Sequence, residues 1–195
     1  MQVIEEELKP YINSKPKFRE LPSEGVEIFD NFLTQRYVEH LQGIFFNPDY
    51  QWAYAPAVGH NFGESELSDE ERNDHYYFVH KIYETFRPIE DPFQTFDQFL
   101  PILQALEVHS LVRIRSLLYV NQGKMVKHEY HKDAQYPIKA GLLYLNDSNG
   151  YTGFKDGTKV ESVCNRLVLF DGNIEHHSTT CTDSKERLVV NINYF

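Results

Sequence analysis

The stretch HEYHKDAQYP, residues 128–137, places two histidines and an aspartate within six positions. Imidazole nitrogen and carboxylate oxygen are donors for a divalent metal of the first transition row. Alternation along an extended chain puts residues i and i+2 on one side, so His131 and Asp133 can face one cavity. In a chain with nine histidines a lone His-x-Asp is a weak signal, and its plainest reading is a solvated strand end. The C-terminal run FDGNIEHHSTTCTDSKERLVVNINYF strengthens it, with His176 and His177 just past a strand and turn and Arg187 opening the last apolar segment. Two histidines and one carboxylate on one face of an iron leave three adjacent positions open, which suits joint binding of a co-substrate and dioxygen. The same donors accept zinc or manganese, so the ligand set alone does not name the metal. Adjacent side chains in extended chain face opposite ways, so only one of His176 and His177 can join the set.

The elements that must position these residues read as strands. VRIRSLLYV, IKAGLLYLN, GYTGF, TKVESV, NRLVLFDG and RLVVNINYF are short, rich in β-branched and aromatic residues, and separated by turn signals. Asp156-Gly157 has the form of a tight hairpin turn, and Asp171-Gly172 closes another run. Before residue 111 the pattern reads as helical. Tyr37, Val38, Leu41, Ile44 and Phe45 recur at helical spacing after Thr34, a candidate N-cap. YYFVHKIYETF and TFDQFLPILQAL read as two further helices, the second restarted at Pro101. Ser68 and Glu71 form a capping box inside the acidic stretch GHNFGESELSDEERND, which reads as an exposed loop and a candidate lid. The expected fold is α+β but mainly β, a sandwich or jelly-roll barrel with N-terminal helices packed on one outer face. Residues 1–24 read as an extension wrapping the edge, 25–110 as helical support, and 111–195 as the β core of a single domain.

Composition narrows the classes. With 195 residues, 41% hydrophobic and 14% aromatic, the chain can bury one sizeable core. A formal net charge of −10 offers no basic stripe for a phosphate backbone, which counts against a nucleic-acid partner. Two cysteines are too few for a disulfide framework, the N-terminal run MQVIEEELKP lacks the basic start and apolar core of a signal peptide, and no stretch is long enough to span a bilayer. The expectation is a soluble protein of a reducing cytoplasm, with no membrane partner.

Taken in order, HKD, LLYLND, NGYTGF, NRLVLFDG, EHHSTTCTD and ERLVVNINYF resemble the 2-oxoglutarate and Fe(II)-dependent dioxygenases, and more narrowly their prolyl-4-hydroxylase-like branch, including its small phage and marine-bacterial members. EIFDNFLTQRYVEHL with Trp52 is similar to the helical lead-in of that family. The resemblance implies a double-stranded β-helix in which His131 and Asp133 are the first two metal ligands. Arg187 follows His176 by 11 residues and His177 by 10, and the family's spacing permits both. The fit of HHSTTCTDSKER to its usual run favours His176, with His177 as the alternative. Arg187 is implied as the partner of the distal carboxylate of 2-oxoglutarate, a role suited to a forked and permanently charged guanidinium. Its bland reading is a surface pair with Glu186 or Asp183. Tyr144 matches a phenol on the same carboxylate and Tyr119 one near the metal-chelating end, although either tyrosine could simply be packed core.

The implied cofactor is Fe(II), with 2-oxoglutarate and O2 as co-substrates and ascorbate as a reductant. The implied reaction oxidatively decarboxylates 2-oxoglutarate to succinate and CO2 and hydroxylates a protein side chain, a peptidyl proline first, or a free amino acid or small metabolite. A nucleic-acid base is the rival substrate. A non-catalytic β-barrel module is the rival from another class; such a module would have lost a ligand or the arginine, and all are present here. His128, three residues before His131, reads as a bystander. Arg113 and Arg115 alternate on one strand face and read as salt-bridge partners or cavity lining, and Asn191 shares a strand face with Arg187.

Overall fold

The computed structural model describes residues 5–16, 25–57, 68 and 73–195. In chain order, a short 3-10 turn at Glu6–Leu8 precedes β1 (Glu27–Phe29), α1 (Gln35–Phe45), β2 (Ala53–Ala55), β3 (Tyr77–Glu84) and β4 (Arg87–Pro88). A second 3-10 turn then leads into α2 (Leu100–Ala105). The strands β5 (Leu111–Val120), β6 (Lys139–Tyr144), β7 (Ser148–Phe154), β8 (Lys159–Ser162), β9 (Arg166–Asp171), β10 (His176–Ser178) and β11 (Glu186–Tyr194) follow. Eight strands form one antiparallel sheet in the order β1-β9-β6-β11-β5-β3-β2, with β4 paired to β3; a second sheet has the order β10-β7-β8. The fold is a jelly roll. Among the described residues no helix is long and apolar enough to cross a membrane.

Alternation along the central strands divides the large sheet into two buried faces. Leu188, Val190, Ile192 and Tyr194 of β11, with Leu143, Leu145, Leu167 and Leu169, pack against the helices. Tyr37, Val38, Leu41, Ile44 and Phe45 of α1 supply the opposing face, as the helical spacing predicts. The other register, with Ala140, Leu142, Tyr144, Val168, Phe170 and Val189, packs against Phe154 and Val160 of the smaller sheet. A strand buried on both faces loses its polar-apolar alternation, which is why all but the first residue of β11 is buried.

Thr34 stands at the N-cap of α1, but its hydroxyl donates to the Pro10 carbonyl (2.7 Å) instead of capping the helix. With Ile12 bridged to Leu33 and Leu8 buried, residues 5–16 dock against the entrance to α1. The Asp156-Gly157 hairpin forms between β7 and β8, with Gly157 at φ +95°, where a Cβ would be strained.

The helix expected over YYFVHKIYETF is instead strand β3, paired with β2 and β5. A bulge between Lys81 and Tyr83 shifts its phase and erases the period of two that would have marked it. Its hairpin to β4 turns on Thr85 and Phe86, at φ +54° and +62°, residues that carry none of the usual Asn-Gly signal. Residues 25–110 therefore supply four strands as well as α1 and α2, and the sheet is not confined to 111–195. The Ser68/Glu71 capping box and the loop around it lie outside the described residues, apart from Ser68 and the loop's last two positions.

Candidate metal centre and co-substrate cleft

His131 and His176 are brought together by their own backbones. Each donates its N–H to the other's carbonyl, at 2.9 and 3.0 Å, forming an isolated antiparallel bridge. Residues directly opposite in such a pair project to the same face, and the two rings sit 4.5 Å apart. Asp133 follows two positions on, its N–H bonded to the Gly172 carbonyl at 2.8 Å. Gly172 has no room for a side chain, since a Cβ there would fall 2.8 Å from Ile138 and 3.2 Å from the Asp133 Cβ. One ligand atom from each of His131, Asp133 and His176 lies within 4.8 Å of the others.

The surroundings suit metal-binding forms of these groups. The Nδ1 atoms of His131 and His176 approach the carbonyls of Glu129 (3.4 Å) and Ile174 (2.9 Å). A carbonyl can only accept, so Nδ1 is the donor in each ring and Nε2 is the nitrogen left to face a metal. Burial alone would push the Asp133 carboxyl up. The neighbouring imidazole of His176, the Arg113 guanidinium, His131 and the Asn191 amide overturn that and hold it below the usual carboxylate range. Two imidazoles and a carboxylate form a donor set that fits Fe(II).

Arg187 is fully buried, and among the described residues no carboxylate pairs with it. Its Nη2 donates to the Thr152 hydroxyl (3.0 Å) and its Nη1 to the Thr179 carbonyl (3.3 Å), while Nε has no partner. The rings of Tyr119 and Tyr144 flank it, with centroids 5.4 and 5.2 Å from Cζ. Burial pushes both phenols up, so both remain protonated. Gly150 gives the arginine its path, because a Cβ there would lie 2.6 Å from the Arg187 Cδ. One narrow cleft, of about 30 Å³, is lined by His131 and His176 and also by Arg187, with Tyr119, Thr152 and Asn191 among its walls. A buried cation without an acidic neighbour among the described residues is costly, and an anion would offset that cost.

The architecture is shared with solved prolyl hydroxylases. A Pseudomonas putida prolyl-4-hydroxylase aligns with a TM-score of 0.56 at 17% identity, over 88% of this chain and 93% of that one. A Trichoplax adhaerens prolyl hydroxylase, solved with a hypoxia inducible factor peptide fragment, gives 0.61 at 13% identity, over 89% and 84%. A collagen prolyl hydroxylase of Paramecium bursaria Chlorella virus-1, solved with 2-oxoglutarate, gives 0.51 at 13% identity, over 89% and 98%. The chain has the fold of the prolyl-hydroxylase-like 2-oxoglutarate/Fe(II) oxygenases. No protein-family model and no curated protein sequence matches it.

Within this oxygenase fold the two adjacent histidines separate cleanly. His176 joins His131 and Asp133, whereas His177 pairs across the smaller sheet with Gly153, its ring filling the space where a Gly153 side chain would stand. There it lies edge-on to Tyr130 and Tyr151. The surface pairing weighed for Arg187 is absent among the described residues. Tyr119 lines the cleft, but Tyr144 stands behind it and donates to the Thr152 hydroxyl at 2.8 Å, so it braces Arg187 through Thr152.

His128, read as a bystander, is 1% exposed; its Nδ1 lies 2.8 Å from the Ser178 hydroxyl and its ring lies against Tyr119. Arg115 makes the expected salt bridge, to Glu84, but Arg113 turns to Asp133 (3.2 Å). Thr152 and Asn193 lie beside these groups and were not singled out from the sequence, whereas Arg113 was, as a salt-bridge partner or cavity lining. Asn193 was accessible, since it continues the 187-189-191 alternation of β11 by one step.

Proposed function

We propose that this chain is an Fe(II)- and 2-oxoglutarate-dependent dioxygenase that hydroxylates a protein side chain, with a prolyl residue the first candidate, or a free amino acid. The observation that carries the reading is a single cleft shared by a 2-His-1-carboxylate group and a buried arginine that lacks an acidic partner among the described residues. His131, Asp133 and His176 would hold the metal; Arg187, fixed by Thr152 and flanked by Tyr119 and Tyr144, would take the distal carboxylate of the co-substrate. Iron with bound co-substrate supplies oxidation of a C–H bond to an alcohol, with O2 and 2-oxoglutarate leaving as the added hydroxyl oxygen, succinate and CO2. The protein's share is to orient and to keep water out, and Leu117, Leu142 and Val189 give the cleft apolar walls for that purpose.

The peptide or amino-acid reading draws support from the prolyl hydroxylases that share the fold, one of them solved with a peptide. The net charge of −10 argues against a nucleic-acid substrate. With only two cysteines, we assign the chain to a reducing cytoplasm. The test is succinate production with Fe(II), 2-oxoglutarate and ascorbate against separate peptide, amino-acid and nucleic-acid pools. Stimulation by the peptide or amino-acid pool is expected. Stimulation by the nucleic-acid pool alone would replace the substrate class, and metal-loaded protein inert with every pool would leave a non-catalytic binding module.

A further inference from the structure

We propose that Asn191 and Asn193, together with Arg113, hold the Asp133 carboxylate in the orientation that presents Oδ1 to the metal; this rests on the functional reading above. A carboxylate offers about two lone-pair directions on each oxygen. Asp133 Oδ2 accepts from the Asn191 amide at 3.0 Å and from the Asn193 amide at 2.9 Å, which uses both of its directions. Oδ1 accepts one bond, from Arg113 Nη2 at 3.2 Å, and keeps one direction. Oδ1 is therefore the oxygen left to meet a cation, while Oδ2 is held by the two amides.

The sheet register fixes this arrangement. Asn191 and Asn193 alternate along β11 on the face that also carries Arg187, and Arg113 on β5 is the direct cross-strand partner of Asn193. Both amides are buried, and their Oδ1 atoms have no hydrogen-bond partner. An unpaired buried amide oxygen is destabilising, so these side chains are not explained by their own hydrogen-bonding balance. Their bonds to Asp133 are what they provide.

The consequence concerns open positions. Two imidazoles and one carboxylate oxygen leave three sites on a six-coordinate ion, enough for a chelating co-substrate and one further ligand. A chelating carboxylate would occupy a fourth site and remove the position needed for dioxygen. Asn191 and Asn193 are thus positioning residues that act through Asp133.

The test uses Co(II) as the metal probe, without oxygen, in the full chain and in Asn191→Leu, Asn193→Leu and the double variant, which keep the side-chain shape and remove the donors. Loss of outer hydrogen bonds to a metal ligand costs roughly 10- to 100-fold in metal affinity. We expect Co(II) binding to weaken by about that factor in the double variant and less in each single one. At saturating Co(II), 2-oxoglutarate affinity should stay within about threefold, because Arg187 is untouched. General loosening of β11 would lower both affinities together, since the strand carries both functions, and that result overturns the proposal. Unchanged Co(II) affinity in all variants overturns it equally. Should the double variant not fold, the single variants decide by the same two readouts. Unmodified protein that takes up no Co(II) would instead overturn the functional reading and the proposal with it.

Discussion

The Nδ1 of His176 lies 2.9 Å from the carbonyl oxygen of Ile174, and this contact makes Nδ1 the donor and turns Nε2 toward Asp133 and His131. Its neighbour His177 has a different task, filling the space over Gly153. Replacing His176 with alanine should abolish metal uptake, whereas His177→Ala should leave uptake within a few-fold and cost about 2–4 kcal/mol of stability through the void it creates. Metal titration and urea unfolding of both variants measure this. Loss of uptake in His177→Ala alone would reverse the assignment.

Arg187 is a buried charge to which the proposed function gives a ligand. Arg187→Met retains the length and removes the charge, so the metal-free protein should become more stable by about 1–3 kcal/mol. The same change should lower 2-oxoglutarate affinity by roughly 100-fold or more, since a buried charge pair is lost. Arg187→Lys should fall between the two, keeping the charge without the fork. Thermal unfolding with and without 2-oxoglutarate reports both effects, because a ligand that binds only the folded state raises the midpoint. A midpoint in Arg187→Met that still rises on adding the co-substrate would remove the arginine from its proposed place.

Gly150 and Gly157 make a matched pair of alanine substitutions. At Gly150 a Cβ meets Arg187 Cδ at 2.6 Å and the Thr180 carbonyl oxygen at 2.8 Å; at Gly157 it meets nothing within 4 Å, although φ is +95°. Gly150→Ala should destabilise by about 1–3 kcal/mol and raise the KM for 2-oxoglutarate, because the anchor must move. Gly157→Ala should cost about 1 kcal/mol from backbone strain and leave KM alone. Equal KM values in the two variants would count against the close fit of Arg187 over Gly150.

Glu84 and Arg115 join β3 to β5 through two hydrogen bonds of 2.7 and 2.8 Å. Burial pushes the Glu84 carboxyl up, but the bonds and charge of Arg115, with Arg113 and Lys81 nearby, outweigh it and hold the group below its ordinary value of 4.5. A folded-state value below the unfolded one gives stability that is present above the unfolded pKa and lost as pH falls through the folded one. Glu84→Gln should therefore be less stable than the unmodified protein by about 1 kcal/mol at neutral pH, with the gap closing below about pH 4. Urea unfolding across that range checks the sign; a gap that widens on acidification would contradict it.

The β core was legible because its runs are rich in β-branched and aromatic residues and separated by turn signals. β3 was not, because its bulge and its Thr85-Phe86 turn remove both the period and the punctuation that reveal a strand. At the site, His131 and Asp133 were singled out by residue type and spacing, while Arg187 and the preference for His176 came from the family resemblance. The choice against His177 needed the cross-strand pairing of His176 with His131, a contact between segments 45 positions apart. Arg113 was read as a salt-bridge partner or cavity lining without a named partner, because a strand arginine in an acidic chain has many, and only the sheet register selects Asp133.

The most direct measurement of the central claim is anaerobic titration of Fe(II) and 2-oxoglutarate into the protein, followed by visible absorption of the chelate, with Asp133→Ala and Arg187→Met beside it. The expected result is a band in the unmodified protein that needs both Fe(II) and 2-oxoglutarate, is absent in Asp133→Ala, and requires far more 2-oxoglutarate in Arg187→Met. No band in folded, unmodified protein, or an equal band in all three, would contradict the assignment of this cleft to Fe(II) and 2-oxoglutarate.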